Sequence, residues 1–486
     1  MLQSRSELFI GGEWVAPATA KRIEIVSPFT EEVVATVPDG SEADIDRAVA
    51  AAREAFEKGP WPRLPANERA DAIARLSQGI QARAQEFADT IIAEMGAPAS
   101  WALMGQVFSA TMVLDAFADF TRVHAFEEER PGLFGRNLIR RVPVGVAAGV
   151  IPWNVPLFIT ALKLGAAMAA GVPLVLKPAP EAPLDAFLLA EVAREAAIPA
   201  GVLNIVPAGR EVGEYLVRHP GIDKVSFTGS TAAGRRIASV CGELLKRCTL
   251  ELGGKSAAIL LDDADLGETM PMLLPNAIMN NGQACLAQTR ILAPRHRYRE
   301  CVDAIAASVD ALTVGDPADP TIAVGPLVAK RQRERVEGYL EAGRKEGARV
   351  VTGGGRPKGL DRGWFVQPTV FADVDNSMKI AREEIFGPVL SVIPYSDDAD
   401  AVRIANDSEY GLSGSVWSKD VKRALGVARS VRTGTYGINA PGTMDLRNPF
   451  GGFKSSGIGR ECGPEGIEAF LEIQTIVLPM GYEGEV

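Results

Sequence analysis

Cys285 stands in Asn280-Asn281-Gly282-Gln283-Ala284-Cys285-Leu286, a polar, glycine-containing stretch ahead of an apolar run. Structural cysteines collect on apolar faces. One flanked by loop residues offers an accessible thiol, whose thiolate attacks carbonyl carbons and forms covalent intermediates. The competing reading, a thiol without chemistry, is the one assigned to Cys241, Cys248, Cys301 and Cys462, which lie in helical or charged contexts. Glu251 ends the apolar run of Leu250-Glu251-Leu252-Gly253-Gly254-Lys255. Burial there would raise its pKa and make it a general base, unless it is merely the ion-pair partner of Lys255. Asn154 closes Pro152-Trp153-Asn154. Its amide could donate to a developing oxyanion or simply shape a turn.

Other chemistries find little support. Only three histidines occur, His124, His219 and His296, far apart in sequence, so no metal site is expected. There is no G-x-S-x-G elbow. Gly253-Gly254-Lys255-Ser256 lacks the upstream glycine of a phosphate loop, because that position is Thr249. An anion-binding signal does appear where the run 224–228 enters Gly229-Ser230-Thr231-Ala232-Ala233-Gly234 ahead of a helical stretch. Such a turn aims backbone N–H groups and a helix N-terminus at phosphate. Gly209 and Gly213 repeat the arrangement one strand earlier. Glycines that only close strand-to-helix turns would look the same.

The elements that must position these residues follow from periodicity. Apolar spacing predicts helices over 45–95, broken at Pro60 and Pro62, and over 102–123. From 144 onward short apolar runs alternate with helical stretches. Strands are expected at 144–151, 173–177, 202–206, 224–228, 248–252 and 257–261, with helices at 157–170, 184–197, 210–218 and 232–240. That alternation predicts right-handed crossovers and a doubly wound parallel sheet binding its ligand at the carboxyl ends of the strands. A second α/β unit follows residue 264, with a helix ending at 278, strands near 389–394 and 413–417, and helices at 399–406 and 421–431. The late run 473–479 could pair with another subunit or close its own sheet.

The 486 residues, 47% of them apolar and 23% charged, can bury a core without disulfides or a structural metal. A net charge of −10 argues against a nucleic-acid surface. The apolar stretch 157–176 holds Lys163, Gly171 and Pro173, so a buried helix and strand are expected there, not a membrane span. Five cysteines, with no C-x-x-C pair and no signal-peptide pattern ahead of them, fit a reduced, cytoplasmic setting.

Seven motifs, taken in order, resemble those of the aldehyde dehydrogenase superfamily over nearly the whole chain. They are Pro152-Trp153-Asn154, Lys177-Pro178, Phe227-Thr228-Gly229-Ser230-Thr231, Glu251-Leu252-Gly253-Gly254-Lys255, Gly282-Gln283-Ala284-Cys285, Glu384-Ile385-Phe386-Gly387-Pro388 and Pro449-Phe450-Gly451-Gly452. The resemblance implies a Rossmann-like, doubly wound NAD(P)-binding domain (1–121 and 144–254) and a second α/β catalytic domain (255–452). It also implies a small β oligomerisation arm (122–143 and 470–486) that makes homodimers or homotetramers.

It further implies oxidation of a small-molecule aldehyde to a carboxylic acid, with Cys285 as nucleophile and Glu251 as base for the deacylating water. Asn154 and the Cys285 N–H would form the oxyanion hole. Lys177 would grip the adenosine ribose, Gly229 and Ser230 the pyrophosphate, and Glu384 the nicotinamide ribose, with Phe386 walling the nicotinamide. Ile151, Trp153, Gly209, Gly213, Phe227 and Leu252 complete the implied cofactor contacts. Lys163 and Glu472 match a proton path. Val155, Ala284, Leu286, Met444 and Phe450 would line the substrate channel, whose apolar character suits an aliphatic, terpenoid or aromatic aldehyde, while Arg447 leaves room for an acidic semialdehyde.

A thiohemiacetal, a thioester and its hydrolysis are the implied sequence, and amide dipoles with the nicotinamide charge should lower the thiol pKa. One departure bears on cofactor choice. Many NAD-preferring members carry an acid three residues after the lysine, where this chain has Pro180 followed by Glu181. NAD is favoured and NADP stays open. Two alternatives remain in view: an acylating enzyme that passes the thioester to coenzyme A, and a non-catalytic binding member.

Overall fold

The computed structural model describes residues 2–442, 444–482 and 484. Two large sheets and a small arm organise it. The first sheet runs, edge to edge, Gly457–Ile458, Arg247–Glu251, Lys224–Thr228, Ala147–Val150, Leu174–Lys177, Leu203–Ile205, Leu8–Ile10 and Glu13–Val15. Its five central strands are parallel. Numbered along the chain, those five lie in the order 3-2-1-4-5, so the direction of winding reverses between Ala147–Val150 and Lys224–Thr228. Loops leave that switch point in opposite directions and open a crevice at the carboxyl ends. The doubly wound sheet expected from the alternating pattern is therefore present.

Helices cover both faces. Pro156–Ala170 starts with proline in its first turn and stops at Gly171, which adopts a left-handed φ of +81°. It is apolar and buried nearly all round because helices pack on it from outside and the sheet from inside. Strands are mostly shorter than their apolar runs, 144–151 yielding only Ala147–Val150, while 248–252 shifts by one residue to Arg247–Glu251. The helical pattern over 45–95 divides into Glu42–Glu57, Ala66–Ala82 and Ala84–Met95. Four N-terminal strands were not anticipated. Two of them form the Gly11-Gly12 hairpin, whose glycines take φ of +66° and +84°, and the other two are Arg22–Val26 and Val33–Pro38.

The stretch expected as one helix over 102–123 opens with a π-helical segment, Ala102–Phe108, before Ser109–Val123 continues as α-helix. The run Ala99–Val123 is long and apolar enough to cross a membrane by composition, yet it packs against the helices Ala66–Ala82 and Pro156–Ala170. Phe117 on this run is 1% exposed, and its ring fills the space above Gly165.

The second sheet runs Arg349–Thr352, Thr369–Ala372, Val389–Tyr395, Arg290–Pro294, Ala257–Leu260, Gly414–Trp417 and Gly437–Ile438, parallel except at its first pair. The arm is an antiparallel sheet of Leu471–Val477, Gly135–Pro143 and Glu127–Gly132. The late strand thus pairs within its own chain. Positions 1, 443, 483, 485 and 486 of the expected domain ranges lie outside the described residues.

Replacing Phe117 by Ala should cost about 3–5 kcal/mol through the cavity left over Gly165. A lower melting temperature checks this; an unchanged one would show that Phe117 does not carry the packing.

Candidate active site

The first sheet presents its carboxyl edge to the amino edge of the second, and a cavity of about 1140 Å³ lies between them. Asn154, Glu251 and Cys285 all line it, as do Trp153, Gly229, Ser230, Leu252, Glu384 and Phe386. Val155, Ala284, Leu286, Met444 and Phe450 line it as well. Ile151, Lys177, Gly209, Gly213 and Phe227 are not among its lining residues.

Two glycines bring the nucleophile strand-end and loop together. A Cβ on Gly254 would clash with the carbonyl oxygen of Cys285, and one on Gly282 with the backbone of Gly387. Only hydrogen fits at either point. Cys285 is partly exposed to the cavity. Burial, and then the carboxylates of Glu384 and Glu251, push its thiol up to about 12, while the backbone N–H groups of Cys285 and Leu286 oppose this. The lowered thiol pKa expected from the sequence is therefore not a property of the chain alone. The two backbone dipoles are outweighed by desolvation and like charge.

Glu251 is 4% exposed, and neither carboxylate oxygen has a hydrogen-bond partner. Burial holds its pKa well above the usual carboxylate range, Glu461 raises it further, and Lys163 and Arg460 counteract. No ion pair joins it to Lys255, whose Nζ is also buried without a partner. The proton path expected at Lys163 and Glu472 needs correction. Glu472 sits on the arm, where Arg247 Nε holds it at 2.6 Å. Lys163 instead donates to Glu461 at 2.6 Å and to Ser226 Oγ at 3.1 Å. Glu461 lines the cavity with Glu251, and it was missed because no pattern distinguishes one late glutamate from another.

Asn154 is 6% exposed, and its Nδ2 donates to the carbonyl of Gln283 at 2.8 Å. The nucleophile loop thus fixes one hydrogen of that amide and leaves the second free.

On the other side of the cavity, Ser230 caps the helix Thr231–Glu243 and Gly229 precedes it, so unpaired N–H groups of the first turn face the crevice. Glu384 accepts from Gly254 N at 3.0 Å, and burial lifts its pKa to about 7. Trp153 and Phe386 meet edge to face with ring centroids 5.3 Å apart. Gly209 caps the helix Arg210–Arg218, and Gly213 lets the stem of Lys177 pass against its backbone. Lys177 Nζ donates to the carbonyls of Ala208 and Pro178 at 2.8 and 3.0 Å, and burial lowers its pKa to about 8. Glu181 is held by Arg331 at 2.5 Å. These residues fit a dinucleotide: a helix N-terminus for phosphate, a lysine and a carboxylate for hydroxyls, and aromatic edges for a ring.

Arg210, Gln332 and Arg335 also line the cavity. Sequence reasoning missed all three: Arg210 opens the helix Arg210–Arg218 and carries no motif, and Lys330–Lys345, which holds the other two, has the charge pattern of a solvated helix. Arg335 Nη2 donates to the backbone carbonyl of Glu384 at 2.6 Å, and Gln332 Nε2 to that of Phe386 at 2.7 Å. The far end of the cavity is walled by Trp101, Met112, Phe158, Leu286, Met444 and Leu446. Arg447 is already paired with Asp119 at 3.1 Å and lies over the Phe120 ring at 5.3 Å. Among the described residues, no group of three or more His, Cys, Asp or Glu could hold a metal ion.

Comparison with known proteins places this geometry among relatives. The sequence model of the "Aldehyde dehydrogenase family" matches residues 14–476. A geranial dehydrogenase from Castellaniella defragrans is 49% identical over 480 residues, covering 98% of this chain and 100% of its own. A Mycobacterium tuberculosis aldehyde dehydrogenase complexed with NAD+ superposes with a TM-score of 0.98 at 50% identity, over 99% of this chain and 100% of that one. A mutant of aldehyde dehydrogenase C from Pseudomonas syringae, complexed with NAD+ and octanal, gives 0.95 at 41% identity, over 99% and 98%.

The raised thiol has a direct consequence. Alkylation of Cys285 by iodoacetamide, without dinucleotide, should accelerate steadily as pH rises beyond the ordinary thiol value toward about 12. A rate already level at neutral pH would contradict the burial argument.

Proposed function

The chain belongs to the aldehyde dehydrogenase family, and on that premise we propose that Cys285 is its nucleophile, Glu251 its base and Asn154 its oxyanion donor. The enzyme oxidises an aldehyde to a carboxylic acid with NAD. The convergence of these three side chains on one cavity with a helix N-terminus and Glu384 carries the proposal.

Cys285 Sγ bonds to the aldehyde carbon as its proton passes to water, and charge develops on the carbonyl oxygen. The free N–H of Asn154 and the backbone N–H of Cys285 stabilise that charge. The chemistry supplied by NAD when bound is hydride acceptance, which leaves a thioester on Cys285. Glu251, as its carboxylate, then takes a proton from water as that water attacks the acyl carbon. The C–S bond breaks, the acid departs and the thiol is restored. Lys163 and Glu461 stand beside Glu251 and set how readily it ionises. Its raised pKa means that this step weakens as pH falls through that raised value.

Trp153, Gly229, Ser230, Leu252, Glu384 and Phe386 would hold the dinucleotide directly. Lys177 would reach the adenosine ribose, with Arg210 nearby. Pro180 leaves no acid for the ribose 2′-hydroxyl, and Glu181 is engaged by Arg331. NAD remains the favoured cofactor, with NADP a slower alternative. Residues 1–121 and 144–254 serve the cofactor, 255–452 the chemistry, and 122–143 with 470–486 subunit association. Exposed Leu133, Phe134, Ile473 and Val477 on the arm support a homodimer or homotetramer.

The substrate is an apolar, uncharged aldehyde. Aromatic and thioether side chains wall the far end, Asp115 and Asp445 also line the cavity, and Arg447 is already paired with Asp119. The similarity to a geranial dehydrogenase and to a complex with octanal supports this class. A coenzyme A-acylating enzyme would have no use for Glu251, and a non-catalytic protein none for the three residues together.

Two measurements test these roles. NADH absorbance should rise with geranial and octanal, with kcat/KM about 100-fold above that for succinate semialdehyde; preference for the acidic semialdehyde would overturn the substrate class. Glu251→Gln should release one burst of NADH, with steady turnover down roughly a thousandfold, while Cys285→Ala should show neither. Full turnover in Glu251→Gln would remove it from deacylation.

A further inference from the structure

The turn leading to Cys285 holds three successive residues in the left-handed region: Asn280, Asn281 and Gly282, with φ of +51°, +61° and +75°. Such a backbone persists only where its surroundings over-determine it, and asparagine tolerates it better than most residues. The two asparagine side chains do different things. Asn281 fastens the turn to neighbouring loops: its Nδ2 donates to the carbonyls of Gly96 and Pro326 at 3.0 and 2.9 Å, and its Oδ1 accepts from Gly325 N at 2.7 Å.

Asn280 points the other way, into the oxyanion segment. It is 3% exposed, and its Nδ2 donates to the backbone carbonyl of Asn154 at 2.8 Å and reaches the carbonyl of Gln283 at 3.4 Å. Asn154 Nδ2 donates to that same Gln283 carbonyl at 2.8 Å. Asn154 is thus held at two points, by its own carbonyl and by one hydrogen of its amide. Its remaining amide hydrogen has one direction in which to point. Gln106 Nε2 lies 3.5 Å from the Asn154 carbonyl, too far to replace the Asn280 contact.

We propose that Asn280 is a positioning residue. It couples the nucleophile loop to the strand-end loop and sets the angle at which Asn154 offers its free N–H to the oxygen of the Cys285 adduct. The inference rests on Asn154 being the oxyanion donor.

Two variants separate positioning from folding. Asn280→Gly keeps the left-handed φ and deletes the side chain; Asn280→Asp keeps shape and φ tolerance but replaces the donor with an acceptor. With octanal and NAD, both should slow the first NADH burst about tenfold to a hundredfold, the range for losing alignment at a reacting centre. KM for octanal, NAD affinity and the iodoacetamide rate of Cys285 should hardly change. Asn154→Ala/Asn280→Gly should burst no more slowly than Asn154→Ala alone, because a positioning group has nothing left to position.

A wild-type burst in Asn280→Gly while Asn154→Ala is slow would overturn this inference alone. So would a loss that repeats in full on the Asn154→Ala background, a defect confined to KM, or an Asn280→Gly protein that fails to fold. A wild-type burst in Asn154→Ala would remove the oxyanion assignment and this inference with it.

Discussion

Glu251 takes a carboxyl group into the interior with no donor to either oxygen. Enclosing such a group as an anion without compensation costs several kcal/mol, so the protein holds it toward its neutral form until charge is needed. Everything around it follows from this tension. Lys163 interrupts an otherwise apolar helix because an ammonium at that depth, paired with Glu461, partly offsets two neighbouring carboxylates. Gly457–Ile458 must return from late in the chain to pair with Arg247–Glu251, which brings Glu461 alongside. The edge of the first sheet is closed by a two-residue strand that the sequence does not announce.

The two sheets contribute unequally. The first supplies strand ends at its switch point: Asn154 after one strand, Gly229 and Ser230 after another, Glu251 at the end of a third. The second supplies the loops before its strands, with Cys285 ahead of Arg290–Pro294 and Glu384 and Phe386 ahead of Val389–Tyr395. The rule that ligands gather at carboxyl ends holds for the first sheet and fails for the second. Carboxyl edge therefore faces amino edge, and a helix N-terminus, a thiol and a carboxylate meet across the gap.

Sequence alone made much of this legible. The parallel core was readable because each central strand is a short apolar run bounded by glycine or proline, and Cys285, Glu251 and Asn154 stood out by motif. What escaped did so for physical reasons. The N-terminal strands are antiparallel pieces, only partly buried apart from Leu8–Ile10, and no helices alternate with them to mark them as the central strands are marked. Arg335 and Gln332 lie on a helix whose charge pattern reads as solvated, and only tertiary packing turns them toward Glu384 and Phe386. Glu461 went unread because spacing cannot say which late glutamate faces inward, whereas Glu472 is paired with Arg247 on the arm. The lowering expected of the thiol pKa joins amide dipoles to the nicotinamide charge; in the chain by itself desolvation, which a sequence does not display, outweighs the dipoles.

The contact between Gly254 and the Cys285 carbonyl carries a mechanical implication. Backbone there touches backbone, with no side chain between to yield. Rotating one lobe against the other would press on that contact or draw the sulfur away from Glu251, so the spacing of nucleophile and base is tied to how the two lobes sit together.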